Sequence, residues 1–240
     1  MFDNLGDRMK EQYENRTRAM LPRRTYTIIR CDGKAFHTFT RHCQKPHDQA
    51  LADAMDAAAT ALCQEAQGVE LAYVQSDEIS VLLTDFATIQ TGAWFDGNVQ
   101  KITSVSASVV TAAFNSAYPN HGLALFDARV FTIPDPVEVE NYFIWRQNDA
   151  SRNSVQGLAQ AHFSHKQLHG KGQSDMHEML HGVGVNWNDL PPYQKRGRCI
   201  AYGADVGWQV VEVGQWTKDR WWLSNRIPRL HAEIAEPQPT

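Results

Sequence analysis

An α+β fold, built on a β-α-β-β-α-β unit with a helical region and short strands behind it, is what this sequence predicts. Three observations carry that prediction. Short β-rich runs and longer amphipathic segments follow one another in that order. The first two runs, residues 26–29 and 71–74, each lead into an acidic turn: Asp32-Gly33, and Ser76-Asp77-Glu78. Finally, Pro134-Asp135-Pro136 closes the fourth run, and the chain beyond it reads mainly as helix.

Residues 7–24 read as a helix that becomes basic toward its end, with Arg16, Arg18, Arg23 and Arg24. The segment 48–67 places Leu51, Met55, Ala58 and Leu62 on one helical face and stops at Gly68. Runs 69–74 and 79–84 flank 75–78, which predicts a hairpin with the acidic turn at its tip. A second amphipathic helix over 98–117 carries Ile102, Val105, Val109 and Ala113 as its apolar stripe, and strand character returns over 123–133. Residues 136–187 predict helices; 198–202 and 208–213 predict short strands before a proline-rich tail. Polymerase palms and nucleotide cyclases share the βαββαβ layout, so residues 1–135 read as a palm-like core and 136–240 as an extension packed on it within one continuous domain. Layout alone does not fix chemistry.

At 240 residues, 42% hydrophobic and 21% charged, the composition is that of an ordinary globular protein with room for a substantial core. No long apolar run and no cleavable-signal pattern occurs, so neither a membrane nor a secretory route is expected. Cys31, Cys43, Cys63 and Cys199 lie far apart, which predicts reduced thiols and a cytoplasmic setting. A net charge of −4 excludes a generally basic nucleic-acid binder but leaves local patches open.

The two acidic turns carry the chemistry. Carboxylates at adjacent strand ends, beside a glycine that lets the backbone approach a ligand, can hold divalent cations against a nucleoside triphosphate. That predicts phosphoryl or nucleotidyl transfer. Singly, Asp-Gly is a common turn and Ser-Asp-Glu can simply cap a hairpin; their joint occurrence at consecutive strand ends favours the functional reading.

Five pieces in order, the first two containing the acidic turns, give a resemblance: Arg30-x-Asp32-Gly33-x-x-Phe36-His37-x-Phe39; Gln75-Ser76-Asp77-Glu78-x-Ser80; Phe126-Asp127-x-Arg129-Val130; Trp145-Arg146-Gln147-x-Asp149; and Asn186-x-Asn188-x-Leu190-Pro191 followed by Lys195-Arg196-Gly197. In these the chain resembles the tRNA-His guanylyltransferase family, including its Thg1-like branch. The resemblance implies 3′→5′ nucleotide addition: a tRNA 5′-monophosphate is activated, usually by ATP, and the 3′-hydroxyl of an incoming nucleoside triphosphate such as GTP then attacks. It implies that Asp32, Asp77 and the backbone carbonyl of Gly33 hold two magnesium ions. It further implies that Asp32, Gly33, Lys34, Ala35, Phe36, His37, Ser76 and Asp77 line the triphosphate site, with Lys101 and Arg129 adding positive charge. The extension 136–240 would contact tRNA, and the assembly would be a homotetramer.

Members specific for tRNA-His carry a His-Ile-Asn-Asn tetrad where this chain has Ser151-Arg152-Asn153-Ser154, and a lysine usual near Glu178 is replaced by Met176, for which Lys171 is a candidate substitute. These departures lean the reading toward template-dependent repair of tRNA 5′ ends, with tRNA-His-specific guanylylation as the alternative. Trp145 and Trp187 are expected to pack rather than stack on bases; Arg146 and Arg152 could touch RNA, but as helical arginines they are expected to be solvated. A more distant alternative is a zinc metalloprotease, from the H-E-x-x-H match at His177-Glu178-Met179-Leu180-His181; against it, Trp187 stands where a third histidine belongs and the glycines end the helix. A zinc module of His162, His165 and His169 lacks cysteine partners at useful spacing. A cyclase-like signalling domain is the remaining rival class.

Overall fold

A computed structural model describes residues 4–119 and 121–230. The proline-rich tail expected after residue 230 lies outside them. From the N-terminus come α1 (Leu5–Gln12), β1 (Tyr26–Gly33), a short α2 (Phe36–Phe39), α3 (Gln49–Glu65), β2 (Val69–Gln75), β3 (Glu78–Leu83), α4 (Val99–Ala117) and β4 (Phe126–Ile133). Then follow α5 (Pro136–His162), α6 (His165–Leu168), α7 (Gln173–Gly182), α8 (Pro192–Arg196), β5 (Arg198–Gly203), β6 (Gly207–Glu212) and α9 (Trp221–Ser224). The six strands form one sheet in the order β4-β1-β3-β2-β5-β6, every neighbouring pair antiparallel. The expected βαββαβ order is therefore present, and β5 and β6 extend the same sheet past β2.

Side-chain alternation along the strands divides the interior into two layers. Ile29, Cys31, Ala72, Val74, Ile79 and Val81 face α3 and α4, where Met55, Ala58, Leu62, Ile102, Val110 and Phe114 are buried. Tyr26, Ile28, Leu71, Tyr73 and Leu82 face the other way, onto Val139, Tyr142 and Phe143 of α5 and the C-terminal Trp216, Leu223 and Ile227. Helix starts follow capping chemistry: Asp48, Asn98 and Asp135 each accept a backbone N–H of the first turn, and Pro136 sits at the first helical position of α5.

Two expectations need correction. The helix predicted over 7–24 ends at Gln12 because it has no buried face to hold it; residues 19–21 instead run extended beside the start of α4, through Leu21 N–H to Gly97 O and Val99 N–H to Ala19 O. On α4 the innermost stripe is Ile102, Ser106, Val110 and Phe114, with Val105, Val109 and Ala113 only partly buried beside it. The i+4 ladder, ending in the large Phe114 ring, outcompetes the more aliphatic one. All four cysteines are free thiols, and burial holds the thiols of Cys31 and Cys63 up at about 12. Among the described residues no helix is long and apolar enough to cross a membrane.

Candidate active site

The antiparallel registers put the two acidic turns together at one end of the sheet. Asp32 pairs with Glu78 on one side and with Asp127 on the other, and Glu78 pairs with Gln75. Directly opposed residues share a face, so Asp127, Asp32, Glu78 and Gln75 form a row on the α5 side. The next row inward is Arg129, Arg30, Ser80 and Tyr73. Ser76-Asp77 makes the two-residue turn between β2 and β3, with Ser76 in the left-handed region at φ 48°. The turn is fastened to β1 by the Gly33 N–H, which donates to the Asp77 carbonyl at 3.1 Å. Asp77 is half-buried; burial, then the like charges of Asp32 and Glu78, raise its pKa against the opposing hydrogen bonds of its own N–H and Ser76.

Sterics dictate Gly33. A Cβ there would sit 2.1 Å from the Phe36 ring, and Phe36 is itself wedged among Phe39, Phe114 and Phe126 at centroid distances of 5.0–5.6 Å. The loop after Asp32 is thus pulled down by an aromatic anchor; Lys34 N–H donates to Leu125 O at 2.8 Å, and Ala35 adopts φ 56°. Lys34, Ala35, His37 and Ser76 are exposed at this rim.

A cavity of about 360 Å³ opens over the acidic row, lined by Asp32, Ser76, Asp77, Glu78 and Arg30 from the sheet and by Trp145, Arg146, Asp149 and Asn153 from α5. Its floor is a buried ion network. Arg146 donates two 2.8 Å bonds to the two carboxylate oxygens of Glu78 and another of 2.8 Å to Asp149, which also accepts from Arg152. Ser80 Oγ donates to Glu78 at 3.3 Å and lies 2.9 Å from the Tyr142 hydroxyl. Burial would raise the Asp149 pKa, but Arg152 and Arg146 outweigh it and hold the carboxyl below its ordinary value. The Arg30 Nε lies 3.9 Å from Glu78, too far for a hydrogen bond. A second cavity, about 260 Å³, adjoins the first across Gln75, Ser76 and Asn153 and is otherwise lined by residues such as His47, Asp48, Tyr193 and Arg198.

Of the residues singled out by sequence, Asp32, Gly33, Ser76 and Asp77 converge, with the Phe36 anchor beneath them and Lys34, Ala35 and His37 beside them. Arg129 lies in the row next to Asp127, paired with it at 3.2 Å. Lys101 does not join them. It stands on the first turn of α4, 5.7 Å over the Phe95 ring, and its neighbour Ile102 lines a small cavity with Thr27 and Leu83 at the opposite end of the sheet. From there ~20 Å of helix separates it from Phe114 under the acidic loop.

Arg146 is a correction: far from solvated, it is 6% exposed and clamps Glu78. Its place on the stripe Val139, Phe143, Arg146, Ala150 was the readable signal, since all four are buried. Trp145 is another, being 50% exposed on the cavity wall rather than packed. Trp187 packs as expected, its indole N–H donating to Ser154 Oγ at 2.9 Å. Of the four residues at 151–154, Asn153 lines both cavities and Ser154 the second, whereas Ser151 and Arg152 line neither; Met176 packs beneath Leu180 and Leu168. The protease match fails geometrically. The His177 ring stands edge-on to Trp187 at 5.4 Å, Glu178 and His181 are exposed, and no three His, Cys, Asp or Glu side chains gather as a metal site among the described residues. His162, His165 and His169 are likewise exposed.

The groups that could hold a metal at the sheet end, the Asp32 and Asp77 carboxylates with the Gly33 carbonyl, are all oxygen donors. Such hard donors, too few to enclose an ion, fit Mg²⁺ that shares its coordination with phosphate and water.

Comparison with known proteins shows the family. The sequence profile described as tRNAHis guanylyltransferase matches residues 6–134. The tRNA(His) guanylyltransferase of Schizosaccharomyces pombe is 32% identical over 206 residues, covering 78% of this chain and 76% of that protein. A solved bacterial tRNA(His) guanylyltransferase (Thg1)-like protein in complex with ATP superposes with a TM-score of 0.88 at 48% identity, covering 93% of this chain and 99% of that one. Another such structure, in complex with GTP, gives a TM-score of 0.78 at 43% identity, covering 94% and 99%.

Proposed function

The chain belongs to the tRNA-His guanylyltransferase family of nucleotidyltransferases, and on that premise we propose that it adds nucleotides in the 3′→5′ direction to tRNA 5′ ends, chiefly as template-dependent repair. The observation that carries the reading is the meeting of Asp32 and Asp77 in the lining of one cavity, with the Gly33 N–H bonded to the Asp77 carbonyl beside them. In this reading residues 1–135 act as a palm-like core, and 136–240, which supply Trp145, Arg146 and Asn153 to the cavity, contact the tRNA. The ATP and GTP bound by the similar bacterial structures are the expected activating and incoming nucleotides.

Asp32, Asp77 and the Gly33 carbonyl would hold two magnesium ions. When bound, these supply charge neutralisation for the triphosphate and a lower pKa for the attacking hydroxyl. The protein's own contribution is positioning. The Gly33–Asp77 hydrogen bond fixes the two carboxylate-bearing turns against each other, and the two bonds from Arg146 hold the Glu78 carboxylate in place beside them. Arg30 and Arg129 place positive charge one row behind the carboxylates, where developing phosphate charge can use it. The exposed rim, Lys34, Ala35, His37 and Ser76, is open to a triphosphate, and the adjoining cavity is of a size to take the nucleotide's base. Lys101 is too distant to serve phosphates at Asp32 of the same chain. We place the enzyme in the cytoplasm on its scattered free thiols, and read it as a homotetramer on the family resemblance.

Repair is favoured over tRNA-His identity addition because the tetrad positions read Ser151-Arg152-Asn153-Ser154, and the two that line the cavities, Asn153 and Ser154, retain one asparagine of the His-Ile-Asn-Asn set. Base selection is then left to pairing with the opposite strand. Extension of a labelled tRNA lacking its first 5′ nucleotide, compared with intact tRNA-His and each nucleoside triphosphate in turn, tests this. Addition to the truncated end should follow Watson–Crick complementarity with the higher kcat/KM. A clear preference for intact tRNA-His would overturn the repair reading and leave the metal chemistry standing.

A further inference from the structure

Trp145 is the feature of the cavity that no step above employs. Large aromatic rings are normally buried, and an exposed one on the wall of a reaction cavity is a site looking for a flat partner. Half of Trp145 is exposed, and it lines the cavity with Asp32 and Asp77. Its neighbour Arg146 lays a guanidinium 4.3 Å from the ring centroid, and that guanidinium cannot swing away, being tied to Glu78 and Asp149. The Tyr142 ring, 5.9 Å away, meets it edge-on. The indole is thus held from behind in one orientation while its remaining surface stays open, a preorganised platform that loses little freedom when something stacks on it.

Resting on the function proposed above, we propose that Trp145 stacks against the base of the RNA's 5′-terminal nucleotide and so sets that end at the carboxylates. The two cavities decide between the candidate bases. They meet at Gln75, Ser76 and Asn153; the second cavity lacks Trp145, Arg30 and Asp32, whereas the first has all three. A nucleoside triphosphate with its base in the second cavity and its phosphates at Ser76 and Asp77 leaves the Trp145 side for the RNA end. Arg30, one row behind Asp32 on that side, is placed for the terminal phosphate. Stacking is indifferent to base identity, because every base offers a π-face. It therefore suits an enzyme that must accept ends of any sequence.

The test uses a 5′-monophosphorylated acceptor-stem duplex with 2-aminopurine at its 5′ end, in magnesium, against wild type, Trp145→Phe and Trp145→Ala. Wild-type enzyme should quench the probe. The Phe variant should retain binding within about threefold, and the Ala variant should lose the quench and bind on the order of tenfold more weakly. In steady-state assays the loss in Trp145→Ala should fall on KM for RNA, not on KM for the nucleoside triphosphate. Unchanged quench and affinity in Trp145→Ala, or equal damage to both KM values, would overturn the stacking role. If wild-type enzyme extends the RNA but never quenches the probe, the stacking role alone falls. If it extends no RNA at all, the functional reading falls and takes the stacking role with it.

Discussion

Two regions of this molecule advertise metal chemistry in their residues, and only one has the geometry for it. At the sheet end, Asp32 at the end of β1 and Asp77 in the β2–β3 turn meet because the β1–β3 register sets Asp32 opposite Glu78, the residue after Asp77. On α7, His177 and His181 share a helix at the spacing of a zinc site, yet the ring of one rests on Trp187 and the other projects into solvent. Spacing along one helix arises easily, because any i, i+4 pair shares a face. Convergence from separate strands needs a fold, and here the same registers also set up the cavity, the glycine packed under Phe36 and the clamp on Glu78.

The strongest way to break the comparison is at the carboxylates. Asp32→Ala or Asp77→Ala should reduce nucleotide addition on the order of 10³-fold, from the loss of several kcal/mol of transition-state charge stabilisation; a magnesium-dependent assay with normal activity in both variants would remove the assignment. Asp77→Asn should be equally inactive but no less stable. The Asp77 carboxyl is held above its ordinary pKa, so its ionised form weakens the fold above that raised pKa, and the weakening vanishes once pH falls below the unfolded value of about 3.9. Without divalent cation the Asn variant should therefore melt slightly higher near pH 7, by no more than about 1 kcal/mol in stability given partial exposure, with the gap closing near pH 4.

Next in size is the clamp beneath the site. Arg146→Ala leaves Glu78 buried without its bidentate partner and should cost about 3–5 kcal/mol of stability, read as a lowered urea midpoint. Glu78→Gln together with Arg146→Met should recover much of that loss, since a buried pair is harder to break singly than to replace jointly. No recovery in the double variant would show that Arg146 acts by packing rather than by pairing. The smallest effect belongs to the other region: His181→Ala should change stability by no more than about 0.5 kcal/mol and spare catalysis, because the side chain is exposed. Stoichiometric zinc in purified protein would contradict this.

The sequence by itself determined the order of elements, the two acidic turns and the family, because each is written locally. Alternation marks a strand, Asp48 and Asn98 cap their helices, and the Asp-Gly and Ser-Asp-Glu turns sit next to their strands in the chain. Two local patterns misled: at the N-terminus charged residues of good helical propensity found no surface to pack on and the helix stopped at Gln12, and on α4 the buried stripe ran through Ser106 and Val110 to Phe114. What tertiary structure alone decided was company. Arg146 reads as one more helical arginine until α5 crosses the sheet and brings Glu78 within 2.8 Å. Trp145, one residue earlier and about 100° around the helix, is left facing the cavity by the same docking. Lys101 is carried to the far end of the sheet because α4 begins there and runs back toward Phe36. Which residues meet across the cavity depends on strand register and helix docking. These are set by burial over the whole interior, and no window of sequence around a single residue contains them.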